Sequence, residues 1–171
     1  MDIALFALHV IVGVLFMGHG AQKLFGWFGG HGLGGTAGFM ESLGLRPARA
    51  HAVLAGAAEF GGGLLLALGL LVPVAAAVLI ATMLTASLTA HKGNGVWVTD
   101  NGWELPLVYG TIAFALAGVG AGEASLDAVL GLDLTGSEWA LGALAVGLVG
   151  GVGAILSPRV AGTSGSHPQS A

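Results

Sequence analysis

Five long apolar stretches, separated by polar or turn-forming segments, set the limits on what this chain can become. Each approaches the ~20 residues that a helix rising 1.5 Å per residue needs to cross the hydrocarbon core of a bilayer. They run from about Ile3 to Phe25, Arg49 to Leu71, Val74 to His91, Leu105 to Val119 and Trp139 to Leu156, with Pro73 dividing the second from the third. Isolated strands would leave backbone N–H and C=O groups unpaired in lipid, so helices are the expected units. The expected fold is all-α: an integral membrane helix bundle over residues 1–156, then a disordered tail, 157–171, rich in Ser, Gly and Pro.

Charge agrees with this. Asp, Glu, Lys and Arg make up 8% of the 171 residues, and 55% are hydrophobic, whereas a soluble domain carries about 25% charged residues. The lipid bilayer is therefore the first partner expected. A net charge of −4 with five Lys and Arg leaves no basic patch for nucleic acid. Without cysteine the chain has no disulfide, thiolate metal site or thiol relay of its own. The acidic start, Met1-Asp2, and the length of the first apolar run favour a retained helix over a cleaved signal peptide.

The connections differ in character. Gly26 to Pro47 reads as a glycine-rich loop followed by a short interfacial helix from Thr36 to Leu43. The spacing Gly32-x-Gly34-x-x-Ala37 imitates a dinucleotide fingerprint, which needs a preceding strand; a membrane helix precedes it here, so a flexible surface loop is expected. His91 to Glu104 carries Gly93, Asn94, Gly95, Asn101 and Gly102, strong turn punctuation. Trp27, Trp97, Trp103 and Trp139 suit the aromatic belt at the membrane surface. Five crossings sort Lys23, Arg46, Arg49, Lys92 and Arg159 to one side, and Asp2, Glu123, Asp127, Asp133 and Glu138 to the other. The positive-inside rule then puts the first loop, the third loop and the C-terminus in the cytoplasm and the N-terminus outside.

Polar groups within the apolar runs are the functional candidates. Glu59 lies roughly 15 Å along the second helix, where a carboxylate costs about 3 kcal/mol and usually faces the bundle interior. Ala55, Gly56, Gly62 and Gly63 flank it at helical spacing, a small-residue stripe that admits a close helix. His19 and Lys23 share a face of the first helix, with Gln22 beside them. Whether Glu59 meets Lys23, His19 or neither is open at this level. His91, Glu104, Tyr109 and His51 are secondary candidates near the same end. Thr82, Thr85 and Thr89 share a face and are expected to bond back to their own helix. His9 is expected to be structural or interfacial.

The run from Gly18 through His19, Gln22 and Lys23 to Gly30, the segment Ala58-Glu59-Phe60-Gly61-Gly62-Gly63, the Asn101-Gly102-Trp103-Glu104 run and Ser125-Leu126-Asp127 resemble the DoxX family over roughly Leu5 to Leu130. The resemblance implies a small bacterial inner-membrane protein with four transmembrane helices; some relatives serve quinone-linked sulfur oxidation or membrane oxidoreductase complexes. The fifth apolar segment departs from that pattern, and its Ala143, Gly147 and Gly151 form a face suited to docking on another helix.

Two functions compete. In the first, the chain is a membrane subunit of a quinone-linked oxidoreductase complex: His19, Gln22, Lys23 and Glu59 meet a quinone head group, and other membrane or redox proteins supply electrons. In the second it is a non-enzymatic anchor or assembly protein, binding through its glycine-rich and acidic loops. Haem held by His19, His51 and His91 on three helices is a weaker third reading, and no metal site is assigned.

Overall fold

A computed structural model describes residues 3–157, so Asp2, Arg159 and all but the first residue of the tail expected to be disordered lie outside the described residues. Its helices are α1 (Ile3–Leu24), α2 (Gly32–Ser42), α3 (Ala48–Leu68), α4 (Val72–Leu88), α5 (Glu104–Val119), α6 (Leu126–Val129) and α7 (Ser137–Leu156), with short 3-10 turns at Trp27–Gly29 and Val98–Asp100. No strand occurs among the described residues. By length and apolar composition α1, α3 and α7 can each cross a membrane, while α4 and α5 are shorter apolar helices. The fold is a membrane helix bundle.

Glycine decides how the helices approach. A Cβ on Gly63 would lie 2.6 Å from the Gly13 carbonyl oxygen, and one on Gly20 would lie 2.7 Å from that of Gly56. The pairs cross-match, so α1 and α3 run antiparallel with their backbones in contact, as small residues permit in lipid. On the other flank of α3, Gly62 faces Leu79 of α4. The helix α4 sits at the centre, packed by α3, α5 and α7, with Val72, Ala75, Ala76 and Leu79 fully buried. The first half of this helix, Val72 to Ile80, is largely covered by protein, so its 17 residues need not match the lipid thickness by themselves. The face expected on the fifth apolar segment docks there: Gly147 of α7 meets Ile80, and Gly151 meets Ala81 and Leu84. Residues turned outward are apolar, Ile11, Val14, Leu54, Leu107 and Val149 among them, as a lipid-facing surface requires.

Several boundaries move for physical reasons. The second helix ends at Leu68 rather than Leu71, because Gly69 takes a left-handed φ of 58° and lets the Gly69 and Leu70 N–H groups cap the Leu66 and Leu65 carbonyls. Pro73 is inside the first turn of α4, where its missing N–H does no harm, and is not the divider. That helix stops at Leu88 rather than His91, which puts His91 in the following turn. The Gly32-x-Gly34-x-x-Ala37 segment is helical, the start of α2, and not a flexible loop.

The connections alternate between two ends of the bundle. At one end lie α2, the 89–103 segment and the close of α7, where the Ser157 hydroxyl meets His51 Nε2 at 3.0 Å. The other end gathers the α3–α4 turn and the segment holding α6. Lys23, Arg46, Arg49 and Lys92 belong to the first end; Glu123, Asp127, Asp133 and Glu138 belong to the second.

Candidate functional site

The cross-matched glycines bring the C-terminal half of α1 against α3, and the result is an ion pair inside the bundle. Lys23 Nζ donates to Glu59 Oε2. The Glu59 side chain is 6% exposed and that of Lys23 is 28% exposed, so the carboxylate is enclosed while the ammonium reaches toward the surface along its methylene stem. Small residues create the room: the position where a Gly56 Cβ would sit is taken by Leu24 and approached by Lys23 Cβ. The backbone carries a further tie, since the buried Thr36 hydroxyl of α2 donates to the Lys23 carbonyl at 3.1 Å. Sequence left the partner of Glu59 open, and it is Lys23.

The other candidates spread out. Gln22 Nε2 donates to the Phe28 carbonyl at 3.3 Å and closes the glycine-rich turn after α1. His19 is exposed on α1 and is not part of the ion pair. Around the Lys23 end an aromatic group assembles, with Phe25 tilted against Trp27 at 5.0 Å and edge-on to Phe60 at 5.9 Å. Tyr109 of α5 meets Phe16 of α1 edge-to-face at 5.3 Å, in the core rather than beside Glu59's partner. Glu104 accepts from the Val98 N–H at 2.8 Å, and His91 Nδ1 donates to the Asn101 carbonyl at 2.7 Å. These two bonds shape the 91–104 segment. Thr82, Thr85, Ser87 and Thr89 each donate to the carbonyl four residues earlier, the structural role expected of the threonines.

At the opposite end the fold uses two residues whose roles the sequence did not disclose. Asp127, 3% exposed, accepts from the Leu71 N–H at 2.8 Å and from Val72 N–H at 3.4 Å, capping the amino-terminal end of α4, while its own N–H donates to the Gly69 carbonyl. Ser125 in turn caps α6 through Ala128 N–H at 3.1 Å. The Ser125-Leu126-Asp127 motif is thus the latch that holds the 120–136 segment on the α3–α4 turn. A cleft of about 300 Å³ opens beside it, lined by Ala121, Ser125, Leu132, Asp133 and Thr135 among others. His9, 2% exposed, lies between the carbonyls of Leu66 and Gly120. Among the described residues no group of three or more His, Asp or Glu side chains could hold a metal ion, and His19, His51 and His91 occupy separate surroundings.

A multi-pass membrane helix bundle with one ion pair enclosed between its first and third helices is the class that fold and site define together. The model of the DoxX family matches residues 4–92, slightly more than half of the chain and the stretch that includes both Lys23 and Glu59, and the chain belongs to the DoxX family. No curated protein and no solved structure matches it.

Proposed function

We propose that this chain is a membrane subunit of a quinone-linked oxidoreductase complex in the bacterial inner membrane, with Lys23, Glu59 and Gln22 at the place where a quinone head group is met. The observation that carries the reading is the asymmetry of the ion pair: Glu59 enclosed, Lys23 open to the bundle surface. A quinone carbonyl needs a hydrogen-bond donor, and its ring needs a flat apolar surface. The Lys23 ammonium and the Gln22 amide are donors, and Phe25, Phe60 and Trp27 present aromatic faces within the same region. His19, exposed one turn before Lys23, is available to a head group that arrives from lipid. Reducing a quinone to quinol takes up two electrons and two protons: the redox centre of a partner protein would supply the electrons, and both protons would enter from water at the open Lys23 end, by way of the Lys23 and Glu59 pair. The separation of Lys and Arg from the acidic end supports a cytoplasmic location for the Lys23 end, an outer N-terminus and a cytoplasmic C-terminus.

The test is titration of the purified full chain, in lipid nanodiscs, with a short-chain quinone. Wild-type binding should weaken about tenfold or more in Glu59→Gln and in Lys23→Met, which corresponds to the loss of one charge-assisted hydrogen bond. Equal affinity in wild type and both variants would discard the reading. It would favour the second one, a non-enzymatic anchor or assembly protein, for which the exposed Trp27, Phe28 and Phe39 supply a contact surface.

A further inference from the structure

The imidazole of His9 has two neighbours of the same kind. Its Nδ1 lies 3.1 Å from the Leu66 carbonyl oxygen, and its Nε2 lies 3.1 Å from that of Gly120. Both distances are those of N–H···O hydrogen bonds, and a carbonyl oxygen can only accept. Neutral imidazole has one N–H and one bare nitrogen, so in either tautomer a lone pair would face a carbonyl lone pair in a site 2% exposed. Only the ring that carries both protons satisfies both contacts.

Both acceptors stand at or just past helix ends. Leu66 stands in the last turn of α3, and Gly120 is the residue that ends α5. The Leu66 carbonyl belongs to the negative end of α3 and also takes the Gly69 N–H, while the Gly120 carbonyl lies just past α5 on a backbone of ψ −174°; bonds from a cationic donor are the stronger kind. No Lys or Arg among the described residues lies at this end of the bundle. Among the described residues, the ionisable groups at this end are acidic and come from the 120–138 segment: Asp127, buried and engaged with the α4 cap, and the exposed Glu123, Asp133 and Glu138. The parts of α3, α4 and α5 that close this end contribute no charged side chain.

We propose that His9 is a buried proton-binding site, an imidazolium clamped between the carboxyl-terminal ends of α3 and α5. The bound proton acts as a structural ligand that ties α1, α3 and α5 together at the end opposite Lys23 and Glu59, and it stands independently of any quinone site. Removing the proton would leave one of the two helix ends facing a bare nitrogen.

Solid-state NMR of the full wild-type chain in neutral lipid bilayers at neutral pH tests this, with histidine rings labelled by ¹⁵N and leucine and glycine carbonyls by ¹³C. The imidazole that correlates with both a leucine and a glycine carbonyl is His9, without recourse to a variant. Two protonated ring nitrogens on that imidazole are expected. One bare nitrogen, or no ring close to both kinds of carbonyl, would overturn the proposal.

Discussion

Gly20 of α1 and Gly56 of α3 stand so close that a methyl group on Gly20 would lie 2.7 Å from the Gly56 carbonyl oxygen. The contact is backbone against backbone, and no rotamer change can relieve it. It lies one turn before Lys23 and one turn before Glu59, and so sets the separation across which the ion pair forms.

Gly20→Leu should therefore prise α1 from α3 and open the ion pair, with a loss of 1–3 kcal/mol or more, the usual cost of overpacking, of order that seen in rigid cores. Gly18, two residues away, has open space where a Cβ would go. Gly18→Ala should be neutral or slightly stabilising, since alanine is the better helix former by up to about 1 kcal/mol. Unfolding in mixed detergent micelles measures both. Equal losses at the two positions would mean that the close approach is not what holds the helices.

Asp127→Ala removes the acceptor for the Leu71 and Val72 N–H groups at the head of α4. Caps of this kind are worth about 0.5–2 kcal/mol, and buried donors left unpaired raise the cost toward 1–3 kcal/mol. Asp127→Asn keeps one carbonyl oxygen in place and should lose less. Hydrogen exchange of the first-turn amides of α4 reads the effect locally: faster exchange there than at the close of the same helix is expected in Asp127→Ala, and uniform exchange would contradict the cap.

Much of this arrangement was legible beforehand because lipid imposes a coarse rule. Apolar length marked out the helices α1, α3, α4, α5 and α7, and the small-residue stripe around Glu59 showed that this carboxylate faces another helix. The docking face of Ala143, Gly147 and Gly151 could be read for the same reason, since glycine at helical spacing marks close approach whatever the partner. Long-range pairing was not legible. Lys23 and His19 share a face by spacing alone, yet Gly20 lies against α3 while His19 is exposed; a rotation of one residue position along α1 decides between them, and only the packing of Gly13 and Gly20 fixes it. Asp127 looked like another charge in an acidic loop because nothing local announces that the α3–α4 turn, more than 50 residues earlier, needs an acceptor. His9 carried even less signal, as both its partners are backbone atoms.

The helix α7 should depend on Gly147. A Cβ there would come within 2.7 Å of Ile80 Cγ2 and 3.0 Å of the Ala77 carbonyl oxygen. Gly147→Val should lift the helix from α4, whereas Gly142→Ala, at a position with open space, should not. A disulfide probe settles it: cysteines introduced at Ala81 and Gly150, whose Cβ positions would lie 3.4 Å apart, should crosslink on oxidation in the otherwise native chain and fail to do so with Gly147→Val added. Crosslinking that persists would show that the helix stays docked without this glycine.

The ion pair itself should respond unequally to the loss of either partner. Breaking a buried pair typically costs 3–5 kcal/mol because a charge is left uncompensated, and that cost scales with how fully the survivor is enclosed. In Lys23→Met the survivor is Glu59, 6% exposed, with no other basic group paired to it among the described residues. In Glu59→Gln the survivor is Lys23, whose 28% exposure lets the ammonium swing out toward the head groups. The first variant should therefore lose several kcal/mol and the second markedly less, and the double variant should recover much of the difference, because neutral residues replace both charges. A double-mutant cycle on chemical or thermal unfolding measures the coupling. Equal single losses that simply add in the double variant would mean that Lys23 and Glu59 do not act as a pair.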